Sequence, residues 1–276
     1  MGKHRLFTCF IYIIASFIAF IVLFPILWMV LTSFKTTNEI YAFPIIYFPT
    51  HFTIKHYISA LSQGNFLAYF LNSSIIALGS VIISLFFSVL PAYSLYKFKF
   101  PGKNTLLLTI LMLEFLPQAS FVVPMFRFIK TIHLINNYFG VMISYLPFIV
   151  PIQIILLMGF FEQIPESLEE AAEIDGSSHL NTFLKIILPI SISSITAVGV
   201  YSFFFSWSEL MFAMSFLTQQ NKQTIPVFLS FLVGQFGINW GQLFAISTLS
   251  ILPAIIMFAF LQRLFMAGLT AGSIKE

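Results

Sequence analysis

Charged residues divide this chain into six apolar runs, the third carrying one acid, Glu114, and each is close to or longer than the roughly 20 residues that a helix needs to cross about 30 Å of hydrocarbon. The runs lie between Arg5 and Lys35, before Lys97, after Lys103, before Glu162, between Lys185 and Glu209, and up to Arg263. We expect spans near 9–31, 71–95, 105–125, 138–161, 186–206 and 243–264. Continuous apolarity specifies helices, because a barrel strand would alternate polar and apolar positions over about ten residues. The expected fold is an all-α membrane protein in which residues 1–276 form a single domain of six transmembrane helices. A chain with 59% hydrophobic and 8% charged residues and a mean hydropathy of +0.96 is not an ordinary water-soluble domain.

Six spans place both termini on one side, and lysine and arginine near the helix ends identify that side. With the termini inside, the inner segments hold Lys3, Arg5, Lys97, Lys99, Lys103, Lys185, Arg263 and Lys275, against Lys35, Lys55, Arg127, Lys130 and Lys222 outside. Eight against five predicts cytoplasmic termini. The basic start before the first run is expected to precede a retained span, since that run is too long for a cleaved signal and lacks a small-residue cleavage pattern. The net charge of +3 follows from the orientation bias, and no basic patch interleaved with aromatics points to nucleic acid.

Cys9 is the sole cysteine, so no intrachain disulfide forms, and its apolar surroundings mark it as a small hydrophobe. His4, His51, His56, His133 and His179 are scattered, without metal-ligand spacing. Gly2-Lys3 and Gly102-Lys103 lack the neighbours of a phosphate loop, so no cofactor is expected on this chain and any ATP must be used by another subunit. A membrane-embedded enzyme would need catalytic side chains clustered at one depth, and none is visible.

The segment from Glu162 to Lys185 holds six of the ten acids. Ser167 three residues before Glu170 predicts a capping box, and Gly176 a helix stop. Between them Glu166, Glu169, Glu170 and Glu173 are spaced to share one face, with Leu168, Ala171, Ala172 and Asp175 on another. An alanine face permits close approach to a groove on a partner, and an acidic face suits basic groups. The alternative is a solvated acidic loop.

Glu170-Ala171-Ala172, then Gly176, then nine residues leading to Ile186-Ile187-Leu188-Pro189, resembles the cytoplasmic motif of permease subunits of binding-protein-dependent ABC importers. The likeness extends to Asn72-Ser73-Ser74, Ala92-Tyr93 and Gly268-Leu269-Thr270-Ala271-Gly272, and the turn Phe100-Pro101-Gly102-Lys103 is similar to the family's basic Gly-Lys turn. It is strongest with the sugar-importing branch, of which the smaller maltose-type subunit is the nearest type. That branch has Trp-Asn-Glu after the fifth span, where this chain has Trp207-Ser208-Glu209. The resemblance implies the type I ABC importer permease fold and a cytoplasmic coupling segment over residues 162–185. It implies that Glu170, Ala171, Ala172, Asp175, Gly176, Ile186, Leu188 and Pro189 couple to an ATPase. The expected partners are a second homologous permease subunit, two ATPase subunits, an extracytoplasmic sugar-binding protein and membrane lipid, in a prokaryotic cytoplasmic membrane. The expected activity is carbohydrate import by alternating access.

Glu114 is an acid inside the third run, where a carboxyl costs a few kcal/mol and usually faces a cavity or partner. Pro117, Pro124, Pro147 and Pro151 interrupt the third and fourth runs, freeing carbonyls that membranes tolerate only beside protein or a water-filled cavity. The permeation path is expected there, with Glu114, Gln118, Tyr145, Gln153, Tyr201, Trp207 and Ser208 as candidates for contact with a sugar. An ion- or proton-coupled carrier titrating Glu114 is the alternative. The aromatic, proline-rich stretch from Thr32 to Phe70 reads as an external interfacial loop.

Overall fold

The computed structural model describes residues 2–63, 65–234 and 237–259. In chain order they form α1 (Gly2–Ser33), α2 (Thr37–Ile40), α3 (Lys55–Gln63), α4 (Phe66–Lys97), α5 (Lys103–Leu113), α6 (Gln118–Thr131) and α7 (Tyr138–Phe161). Then come α8 (Ser167–Ile174), α9 (His179–Thr182), a π-helical turn over Phe183–Ile187, α10 (Leu188–Ile190), α11 (Ile192–Ser208) and α12 (Met211–Phe216). The remainder is a 3₁₀ turn (Gln220–Lys222), α13 (Ile225–Leu232), the two-residue antiparallel strands β1 (Val233–Gly234) and β2 (Gly237–Ile238), and α14 (Trp240–Ser250). The end of the sixth expected span (260–264), Arg263, Lys275 and the Gly268–Gly272 stretch lie outside the described residues.

Among the described residues four helices are long and apolar enough to cross a membrane: Thr8–Ser33, Phe66–Lys97, Tyr138–Phe161 and Trp240–Ala259. The third and fifth runs are not straight helices. Lys103–Leu113 and Gln118–Thr131 are bent by 98°, and His179–Ile190 and Ile192–Ser208 by 75°. The first break has a local cause. The N–H groups of Glu114, Phe115 and Leu116 each reach back three residues, tightening the last turn of α5. Pro117 then supplies no N–H and disfavours the helical region for Leu116. The same chemistry does not interrupt the fourth run, because Pro147 and Pro151 both lie within the continuous α7.

Two compact units are distinguished, Met1–Leu67 with Phe228–Leu252, and Ala68–Val227 with Pro253–Glu276. In the first, the stretch after α1 is more than an interfacial loop. The Glu39 carboxylate accepts hydrogen bonds from Thr36 and Thr50, through the backbone N–H and hydroxyl of each, and from the His51 N–H. Those bonds, the Thr50 hydroxyl foremost, hold its carboxyl at about 2, well below the usual range. Buried Lys35 donates to the Ile46 carbonyl at 2.7 Å and lies 4.2 Å over the Trp28 ring. Burial lowers its pKa, against the pull of the nearby Glu39 charge. His56 on α3 bonds the Lys35 carbonyl and packs against Gly241 of α14, where a Cβ would overlap the imidazole ring.

The second unit has two apolar clusters. One joins Ile76 of α4, Val141 to Ile149 of α7, and Phe212 and Phe216 of α12. The other joins Ala92 to Leu95 of α4, Ile154 to Phe161 of α7, and Phe183 and Ile187. Early residues of α4 pack with early residues of α7, and late with late, so the two helices run in the same direction. At their starting end Asn72 donates to the carbonyls of Asn221 and Gln223 and accepts from the Tyr138 hydroxyl. Ser73 accepts from the Ile225 N–H at 2.9 Å.

Candidate functional site

At the finishing end of α4 and α7 the chain makes the short helix α8. Its start differs from the expected capping box. Glu166 already has helical angles and makes no side-chain cap bond, and Ser167 lies inside the first turn. Pro165 is the cause: its carbonyl accepts from Leu168 N–H, so a tight turn supplies the nucleus that a side-chain cap would otherwise provide. The stop is as the glycine predicts. Gly176 has φ +78, its N–H bonds the Glu173 carbonyl, and the Ser177 N–H bonds the Ala172 carbonyl. These paired bonds form a Schellman motif, which favours glycine because the left-handed position disfavours a Cβ.

The four acids do not share a solvent face. Glu169 turns inward, with its side chain 3% exposed, and bonds Lys97 Nζ at 2.6 Å and the Tyr93 hydroxyl at 3.3 Å. Ala172, one turn on, is buried against the chain itself and is not free for a partner. Helix α8 leaves outward Ser167, Glu170, Ala171, Glu173, the partly open Leu168 and Ile174, which is 86% exposed, with Asp175 exposed at its cap. This is an apolar ridge flanked by carboxylates. Ile186, Leu188 and Pro189 follow on the bent pair, where the helix widens to a π turn over Phe183–Ile187. Pro189 cannot donate to the carbonyl four residues back, and the wider winding meets that gap. Ile187, between them, is the residue that seats this segment in the second apolar cluster.

The path candidates separate into three polar groupings and a remainder, Trp207 and Ser208. Glu114 sits in the α5–α6 break with Oε1 buried and without a hydrogen-bond partner, and Tyr201 lies near it. Gln118, at the start of α6, donates to Glu209 Oε1 at 3.2 Å, and fully buried Tyr145 lies beside the same carboxyl. Gln153 is completely buried and donates to the hydroxyls of Ser84 and Ser202, tying α7 to α4 and α11. Trp207 is packed between Phe70 and Phe203, and exposed Ser208 returns its hydroxyl to the Phe204 carbonyl of its own helix at 2.8 Å. None of the seven lines the 680 Å³ cavity beside Pro124, Pro147 and Pro151, whose walls are apolar throughout.

Sequence reasoning missed Glu209 as a site residue. Its carboxylate accepts from the N–H groups of Phe212 at 2.9 Å and Ala213 at 3.1 Å, closing the first turn of α12. The signal available was its standing as the only charged residue between Lys185 and Lys222. Glu169 was missed as an inward group because its partners lie on α4, far away in sequence.

The chain matches the family described as binding-protein-dependent transport system inner membrane component over residues 60–271. It is 34% identical to the probable ABC transporter permease protein YurM of Bacillus subtilis over 267 residues, 96% of this chain and 86% of that one. It is 33% identical to the trehalose/maltose transport system permease protein MalG of Thermococcus litoralis over 264 residues, 95% of this chain and 94% of the relative. A solved bacterial ABC transporter involved in the import of alginate has the same fold, with a TM-score of 0.80 at 22% identity over 95% of this chain and 98% of that one. The two bent pairs and these likenesses agree, and the chain belongs to the inner-membrane components of binding-protein-dependent transport systems, the permease subunits of ABC importers.

Proposed function

We propose that this chain is one half of a heterodimeric, carbohydrate-importing permease, held with a second homologous permease subunit, two cytoplasmic ATPase subunits and an extracytoplasmic sugar-binding protein. The observation that carries the coupling is α8 itself: a helix anchored inward by Glu169 and Ala172, ended by Gly176, and presenting Leu168, Ala171 and Ile174 between Glu170 and Asp175. That is the shape of a helix that fills a groove, with carboxylates placed for basic rims. ATP is used in the partner subunits, and closure of those subunits on α8 rocks the bent pairs so that a cavity alternates between the two sides. Both termini face the cytoplasm in this reading.

Carbohydrate cargo is supported by relatives whose names specify trehalose/maltose, diacetylchitobiose and arabinooligosaccharides, at 33%, 30% and 33% identity.

The test is to purify the tagged chain from its own membranes, wild type beside Gly176→Val, and identify what accompanies it. An ATPase and a second permease with the wild type, and the ATPase depleted from the variant, is the expected result. Recovery of the wild-type chain alone in several mild detergents would overturn the reading in favour of an ion-coupled carrier. ATP-dependent uptake of labelled oligosaccharides by the recovered complex tests the cargo, and uptake of amino acids alone would remove carbohydrate from the proposal.

A further inference from the structure

We propose that Lys97 and Glu169 are positioning residues that form a directional joint between α8 and α4, so that displacement of α8 is delivered to the far end of α4. The proposal rests on the reading of α8 as the element that contacts the ATPase.

Two kinds of contact hold α8 to the bundle. The first is an aromatic hub, in which Tyr93 of α4 meets Phe161 at 5.8 Å and Phe183 at 4.7 Å between ring centroids. Phe161 ends α7 and Phe183 opens the π turn, so the hub gathers both ends of the segment that carries α8. Apolar contact of this kind is not directional and leaves the rotation of α8 poorly specified.

The second contact is polar. Lys97 Nζ reaches Glu169 at 2.6 Å and Glu173 at 3.6 Å, and the Tyr93 hydroxyl donates to Glu169 at 3.3 Å. Tyr93 and Lys97 are one turn apart on α4, and Glu169 and Glu173 are one turn apart on α8, so two matched turns face each other. Withdrawing a carboxylate from water for a lysine adds little net stability compared with an apolar contact, but it does specify one arrangement. His179 Nδ1 lies 3.6 Å from Glu173 at the edge of the joint.

What α4 does with a push depends on its other attachments. It is one unbroken helix of 32 residues, tied at mid-length by Ser84 to Gln153 and at its start by Asn72 and Ser73 to residues 221–225. From Lys97 to Asn72 the helix rises about 1.5 Å per residue and continues through Pro91 without ending. A joint at one end and a hydrogen-bonded loop at the other give the movement of α8 a destination.

The test uses the complete transporter in a Cys9→Ser background, with spin labels at the exposed positions Leu78→Cys on α4 and Ile192→Cys on α11. The label separation is measured by pulsed electron resonance before and after trapping with ATP and vanadate. In the otherwise unaltered protein, trapping shifts the separation. Glu169→Gln and Lys97→Met should keep the ATPase subunits and their vanadate trapping while reducing the shift by about fivefold or more. Lys97→Arg should retain it, because a guanidinium still reaches both carboxylates. A full shift in both single variants would overturn the proposal, and so would loss of the ATPase from them, which would make the pair a docking element only. If the unaltered chain brings down no ATPase, the earlier reading of α8 fails instead, before any variant is compared.

Discussion

Glu39, in the stretch after α1, and Glu169, in α8, are carboxylates withdrawn from solvent, 7% and 2% exposed. The partners of Glu39 come from Thr36, Thr50 and His51, all within 12 residues. Those of Glu169 come from α4, and its tyrosine is 76 residues away. The first acid therefore closes its own loop, whereas the second joins two parts of the chain that are far apart in sequence. Burial alone does not distinguish a local clasp from a joint; the sequence distance to the partners does.

The largest expected effect comes from cutting the joint. Glu169→Ala strips Lys97 of its close partner and should cost about 2 kcal/mol, less than a fully buried pair would because Lys97 keeps some solvent. The check is a thermal melt of the purified complex, with hydrogen exchange rising in α4 as well as in α8. Exchange confined to α8 would make Glu169 another local clasp and erase the contrast.

Next is Gly176→Val, which places a β-branched residue at φ +78 with nothing within 4 Å to hinder it sterically. Backbone strain of about 1–2 kcal/mol is the expected cost. Gly176→Asn should recover most of it, since asparagine tolerates the left-handed region. Equal losses for valine and asparagine in the same melt would show that contact, not conformation, sets the requirement.

The clasp at Glu39 should answer to acid, and later than an ordinary carboxylate would. A carboxyl held at about 2 contributes stability that is fully present above its ordinary value of 4.5 and is lost as pH falls from there through about 2. Hydrogen exchange of residues 36–51 should stay slow at pH 4 and quicken toward pH 2. Glu39→Gln should loosen the same residues at neutral pH while leaving exchange in α8 unchanged; loosening of α8 would sink the idea that this clasp is local.

Smallest of all is Ser208→Ala. The hydroxyl is spent on carbonyls of its own helix, so melting should change by less than about 0.5 kcal/mol and transport should not change. A transport defect would return Ser208 to the cargo path.

The lengths of the apolar runs were legible because hydrocarbon thickness constrains them. Their direction was not. A run bent by 98° has the same hydropathy as a straight one, and Pro117 looks no different in sequence from Pro147 or Pro151. Only the bonding of the preceding turn separates a proline that breaks a helix from one that a helix absorbs. The Gly176 stop was legible for a local reason, since its two bonds close within six residues. The inward turn of Glu169 was not, because helical spacing on α8 groups it with Glu166, Glu170 and Glu173 and says nothing about a lysine on α4. The three polar groupings among the path candidates were equally hidden, each being assembled from separate helices.

The most apolar window of α1 has a mean hydropathy of 2.8, and none of it is buried within the described chain. That fact bears on the order of manufacture. The window is made before the bundle helices that follow it in the chain, and none of those helices shelters it, so it can partition into the bilayer on its own affinity for lipid while they are still being synthesised. The bundle helices, half-buried against one another, must wait for their neighbours.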